Sequence, residues 1–158
     1  MELLRVYLDT SVIGGYFDDE FRDESRKLFE CIRVGIYRGL ISSTTLVELE
    51  GAPEHVRNLL DEFDEEQIER LPESPLAPAL AAKYIESGAL PAWCKDDATH
   101  IAFATVCQAD VLVSWNFKHI VNFARIEEFN KVNLKEGYGR IEIRSPKDLI
   151  YGKEEEGI

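Results

Sequence analysis

Short apolar runs alternate along this chain with stretches of helical period, and that alternation constrains the fold more than any other feature. Residues 3–9 read as a buried strand that stops at polar Asp9, Thr10 and Ser11. Residues 40–43, 67–71 and 110–115 read as further short strands, and Ile141 and Ile143 alternate with charged residues to give an edge strand over 139–144. Between them the period is helical. Residues 23–38 carry Leu28, Phe29, Ile32 and Ile36 on one face, with Gly39 as the C-terminal stop and Gly35 inside. Shorter helices are expected after Thr44 or Thr45 and over 54–63 and 78–87. The clearest helix runs from Asp97 to Cys107, another covers Phe117 to Phe129, and Pro146 to Ile150 supply one turn. Strands joined through helices imply right-handed crossovers and a mostly parallel sheet with helices on both faces, an α/β fold. A single domain over residues 1–152, followed by an acidic tail at 153–158, is the expected organisation.

Polar residues recur at the ends of these units. Asp9 closes the first strand, and Glu48 follows the second. Asp97 opens the clearest helix, and Asn116 follows the run Val111-Leu112-Val113-Ser114-Trp115. Parallel sheets bind ligands at the carboxyl ends of their strands. Three carboxylates and an amide gathered there would form a seat for a hard divalent cation, which prefers oxygen ligands. Each residue also has an ordinary structural reading. Asp9 suits a turn or a helix N-cap, and Thr45 with Glu48 has the spacing of a capping box. Asp97, beside Asp96, gains from the helix dipole, and Asn116 is a good N-cap. His100 shares a helical face with Asp97, where packing or a hydrogen bond near the site is the first expectation. The functional case rests on the set and its order.

The net charge of −12, from 30 acids and 18 bases, opposes non-specific binding to nucleic acid. A site acting on nucleic acid would need a local basic rim, for which Arg22, Arg26, Lys27 and Lys118 are the candidates. Three sparse cysteines without CxxC spacing argue against a disulfide framework or a cysteine zinc site. No apolar run approaches the ~20 residues that span a bilayer, and the N-terminus lacks a secretory pattern. A cytoplasmic protein without membrane association is the expectation.

Four segments resemble the PIN-domain ribonucleases and, among them, the VapC-like toxins of toxin–antitoxin pairs. They are Val6-Tyr7-Leu8-Asp9-Thr10-Ser11-Val12, Ser42 to Glu48, Asp97 to Thr105, and Val111 to Ile120, in the family's order and approximate spacing. The resemblance covers residues 4–124. It implies a three-layer α/β/α sandwich around a parallel sheet and hydrolysis of single-stranded RNA with Mg²⁺ or Mn²⁺. It places the first three acids on Asp9, Glu48 and Asp97. The fourth position, often aspartate, is Asn116 here, which leaves one carboxylate fewer for a second ion. Thr10 or Ser11 matches the small hydroxyl residue beside the first acid. Asp9 and Asp97 would be the main ligands, with Glu48 acting through water or a second ion and Asn116 orienting an outer water. A homodimer and a cognate antitoxin are further implications.

Other acid-bearing folds fit less well. A haloacid-dehalogenase-like phosphatase wants a second aspartate where Ser11 stands. An aspartic protease is all-β and needs two such aspartates close together. A receiver-like module wants a lysine directly after a late strand, and Lys118 sits too far into the following segment. A catalytically weak or inactive PIN-like binding module is the alternative that the net charge and Asn116 favour.

Overall fold

A computed structural model describes residues 3–156, with side chains through Gly152. Five parallel strands form one sheet in the order β3-β2-β1-β4-β5. They are β1 (Leu4–Leu8), β2 (Tyr37–Ile41), β3 (Ile68–Arg70), β4 (Val111–Val113) and β5 (Ile143–Arg144). Strand parity sorts the core into two layers. Tyr7, Leu40 and Leu112 point to one face and pack under α5 (Leu76–Glu86), α6 (Lys95–Val106) and α7 (Phe123–Lys135). Val6, Leu8, Ile41, Val111 and Val113 point to the other, where α1 (Thr10–Gly15), α2 (Arg22–Arg33), α4 (Glu54–Leu59) and α8 (Pro146–Glu156) contribute. The architecture is a three-layer α/β/α sandwich. Between β1 and β4 the strand order reverses, and at such a switch point a crevice opens beyond the carboxyl ends of the strands. Asp9 and the Ser114–Asn116 segment leave the sheet there.

Several helix ends fall elsewhere than the sequence predicts. Helix α2 stops at Arg33 rather than 38 because Gly35 takes φ +83°, the left-handed conformation glycine adopts without penalty. Ile36 N–H donates to Cys31 O at 2.9 Å and Gly35 N–H to Ile32 O at 3.2 Å, a Schellman closure. Ile36 therefore leaves the apolar stripe for solvent, β2 begins at Tyr37, and Gly39 lies within the strand instead of ending a helix. The expected capping box between Thr45 and Glu48 is instead between Ser42 and Thr45, whose Oγ1 accepts from Ser42 N–H at 3.3 Å; α3 is Ser43–Glu50. Residues 117–120 form turns and 121–122 are irregular, so none belongs to the first part of a helix. Asn116 Oδ1 accepts from His119 N–H at 2.9 Å and closes one turn, while Asn122, accepting from Arg125 N–H at 3.2 Å, is the true cap of α7. Ser145 Oγ accepts from Asp148 N–H at 3.1 Å to start α8, which continues past the expected single turn to Glu156. The expected tail at 153–156 is thus helical backbone, and residues 157–158 lie outside the described part. Lysine and glutamate propagate helices well, and buried Leu149 and Ile150 anchor the first turns.

Candidate active site

At the carboxyl end of β1, Asp9 N–H donates to Val113 O at 3.1 Å, which fixes the ends of β1 and β4 side by side. Asp9 occupies the N-cap position of α1 but caps nothing with its side chain. Its Oδ2 instead accepts from Ser11 Oγ and Ser114 Oγ, both at 2.7 Å, and the residue is 5% exposed. The same hydroxyls hold the next strand end: Trp115 N–H donates to Ser11 Oγ at 3.0 Å and Asn116 N–H to Ser114 Oγ at 2.9 Å. Behind them, Gly15 lets α1 approach Trp115. A Cβ there would stand 2.8 Å from both Trp115 Nε1 and Ser25 Oγ, which are themselves hydrogen-bonded.

Glu48 reaches this cluster from α3. Its Oε1 accepts from Thr10 Oγ1 at 2.8 Å and from His100 Nε2. His100 is fully buried, and its Nε2 also faces Asp9 Oδ1 at 3.5 Å. Its Nδ1 meets Tyr7 OH at 2.7 Å, and Tyr7 OH meets Ser42 Oγ at 2.7 Å. Burial opposes charge on this imidazole, but Tyr7, the Glu48 hydrogen bond and the Asp9 carboxylate outweigh it, so the ring titrates well above the ordinary histidine range. For Glu48, burial pushes the carboxyl up, and the bonds from His100 and Thr10 overcome that and hold it low. His100 and Glu48 are accordingly an internal ion pair at neutral pH. Tyr7 OH thus links His100 Nδ1 to Ser42 Oγ in one hydrogen-bonded chain.

Asp97 stands in the first turn of α6, about a quarter exposed, held only by a long contact of 3.4 Å from Asn116 Nδ2. Burial raises its pKa to about 6, the charges of Asp9 and Glu48 add to the rise, and His100 offsets part of it. The charges of Asp9 and Glu48 acting on Asp97 place the three sequence-predicted acids in one neighbourhood. Asp97 Oδ2 also lies 3.7 Å from His119 Nδ1.

The donor set fits a hard cation in a particular way. Asp9 Oδ1 and the Asp97 carboxylate are weakly engaged oxygens, whereas Glu48 is committed to Thr10 and His100. Among the described residues the three acids do not by themselves bring ligand atoms within 4.8 Å of one another; the set that does is Cys94, Asp97 and His119. A cation held by Asp9 and Asp97 must therefore keep water in its shell, and Mg²⁺ habitually does so.

The basic candidates separate. Arg22 pairs with Asp19 and Asp23, Arg26 donates to Tyr16 O at 3.0 Å and Lys27 to Tyr151 OH at 3.2 Å. Lys118 stands close enough to the site for its charge to act on Cys94 and His119. Arg125 does the same and bridges Lys118 O at 3.1 Å and Ala89 O at 3.0 Å; the sequence reading missed it because the predicted helix hid its place beside the site. Ser114 and Tyr7 were also missed as supports of Asp9 and His100. The signal for both lay in their position next to the strand ends.

The PIN domain family model matches residues 5–118, which include Asp9, Glu48, Asp97, His100 and Asn116. The chain belongs to the PIN domain family. A search of curated proteins finds no match. Among solved structures, this PIN domain is similar to a chain of the VapBC2 complex from Rickettsia felis, solved bound to a DNA fragment from their promoter. The TM-score is 0.59 at 19% identity, and the alignment covers 90% of this chain and 98% of that one. The likeness is one of fold.

Proposed function

We propose that this PIN domain is a Mg²⁺- or Mn²⁺-dependent endoribonuclease that hydrolyses single-stranded RNA, a VapC-like toxin restrained by a cognate antitoxin. The observation that carries the reading is the pair Asp9 and Asp97 at the sheet's switch point, the first buried and the second half-buried, with the Asp9 charge helping to raise the pKa of Asp97. A divalent ion would supply the missing positive charge, activate water and neutralise a phosphate oxygen. Asp9, fixed by two serine hydroxyls, and Asp97 would be its protein ligands. Glu48, held by Thr10 and His100, is placed to accept a hydrogen bond from a water of the ion's shell. Asn116 positions the Asp97 carboxylate. The Rickettsia felis complex supports an antitoxin partner, and a homodimer is part of the same proposal. Among the described residues no helix is long and apolar enough to cross a membrane, which accords with the proposed cytoplasmic site of action.

The test is cleavage of a single-stranded RNA pool with Mg²⁺ or Mn²⁺, comparing wild type and Asp97→Asn with an EDTA control. Metal-dependent cleavage that disappears in the variant is expected. Equal activity in both proteins would reject the site. No cleavage by either, with Mn²⁺ binding seen by calorimetry, would favour the inactive binding module that Asn116 and the net charge of −12 also suit.

A further inference from the structure

Beside the carboxylate cluster lies a second donor set that the nuclease reading does not use. Cys94, Asp97 and His119 each present a ligand atom, and all three atoms lie within 4.8 Å of one another. We propose that they form a binding site for a borderline divalent cation of the Zn²⁺ class, and that its occupation removes Asp97 from the hard-ion site.

The backbone delivers the three donors without strain. Cys94 ends a short turn over Ala92–Cys94 and stands just before α6, and Asp97 follows three residues later on the same helical face. His119 comes from the turn that Asn116 closes after β4. Its Nδ1 lies 3.7 Å from Asp97 Oδ2, too far for a hydrogen bond, so no contact with that carboxylate requires a proton on Nδ1. The Trp93 indole packs edge-on against the His119 ring with centroids 4.9 Å apart and sets its plane. Donor atoms around a tetrahedral zinc are roughly 3.5 Å apart, given bonds of about 2.0 to 2.3 Å. Small side-chain rotations close the remaining gap.

The chemistry selects the ion. A thiol and an imidazole are poor partners for Mg²⁺ and good ones for Zn²⁺ or Co²⁺. One thiolate and one carboxylate neutralise a divalent charge, and an imidazole completes a donor set of the zinc type. Burial and the Asp97 charge hold the Cys94 thiol protonated in the free protein, so binding releases a proton. Lys118 and Arg125 favour the thiolate but repel the cation, which tempers the affinity. Three protein donors leave a fourth position for water.

Titration of the full chain with Co²⁺ tests the site without reference to catalysis. The wild type should develop a thiolate-to-cobalt absorption in the near ultraviolet and tetrahedral bands in the visible at one equivalent. Cys94→Ser should abolish the thiolate band, and His119→Gln should weaken binding at least about tenfold. Cys31→Ser, Cys107→Ser and Asp9→Asn should retain the band. A thiolate band that survives in Cys94→Ser, or no such band in the folded wild type, overturns the site. The inhibitory consequence rests on the nuclease reading and has its own assay: Zn²⁺ should suppress Mg²⁺-supported cleavage in the wild type and not in Cys94→Ser. Equal suppression in both proteins overturns that consequence and leaves the cobalt result standing.

Discussion

Two buried polar networks sit on the same side of one sheet, and they are built to opposite rules. Under α5, α6 and α7, Tyr84 OH donates to Asn133 Oδ1, and Asn133 Nδ2 donates to Thr105 Oγ1 at 3.3 Å and Asn130 Oδ1 at 3.4 Å. Asn130 then accepts from Ile141 N–H at 2.7 Å and donates to Ile141 O at 3.2 Å, completing the backbone pairing just before β5. Every member is neutral and satisfied, so the network locks three helices to a sheet edge at little electrostatic cost. At the carboxyl ends of β1 and β4, Asp9, Glu48 and Asp97 crowd around a single buried imidazole. One cation cannot balance three anions. The difference separates a network complete in itself from one that carries unbalanced charge.

Asp97→Asn breaks the contrast most sharply. Removing that charge should lower RNA hydrolysis by on the order of a thousandfold, the scale for loss of a preorganised electrostatic group. It should also raise the melting temperature of the metal-free protein at neutral pH, because a repelled carboxylate is gone. A lower melting temperature would mean that the cluster is not under electrostatic load. The neutral network should answer in the other direction. Asn133→Ala takes from Tyr84 OH its acceptor at Asn133 Oδ1 and from Thr105 and Asn130 a donor, leaves Tyr84 only its contact with Thr105, and should cost ~1–3 kcal/mol in chemical denaturation with hydrolysis unchanged. A cost under ~0.5 kcal/mol would remove the network from the list of stabilising features.

The pH response sharpens the comparison further. Asp97 ionises at about 6 in the fold against an ordinary 3.8, so the folded protein keeps a proton that the unfolded chain has lost. Stability of the metal-free protein should fall as pH rises through that window, and Mn²⁺ should restore it above the window. Affinity for Mn²⁺ measured by calorimetry should drop by up to about tenfold per pH unit below the Asp97 value. A flat profile would place the ion elsewhere. The smallest effect is expected at the rim. Lys118→Glu should weaken RNA binding and reduce the salt slope by roughly one to two, whereas Lys27→Glu, held at Tyr151, should leave the slope unchanged.

The legible parts of the fold were those written in local periodicity. The buried runs that became β1 and β4, and the segment that became α6, declare themselves through apolar pattern and the acids at their ends. Glu48 shows the limit. Its spacing from Thr45 has the form of a capping box, yet the box formed one turn earlier at Ser42 and freed Glu48 to meet a histidine 52 residues away. Local spacing cannot reveal that long-range partner. A period of four that continues through Ile36 carries the predicted helix past Gly35, although an interior glycine weakens its last turn. The left-handed turn that ends α2 is chosen by β2, which must begin at Tyr37 to pair with Leu4. Residues 117–122 look helical by composition, but two asparagines compete as caps, and the second wins the helix.

The Ser114 hydroxyl that holds Asp9 comes from 105 residues further along the chain. A ribosome that has made Asp9, Glu48 and Asp97 has yet to make β4, and until then β1 has only one of its two neighbours. Non-local strand pairing of this kind is slow and is withheld until late in synthesis. Premature termination before Ser114 yields every acid of the cluster without the strand and hydroxyl that fix Asp9 from the β4 side. If the protein is a toxin, an interrupted message would leave the cell with a harmless, unfinished chain.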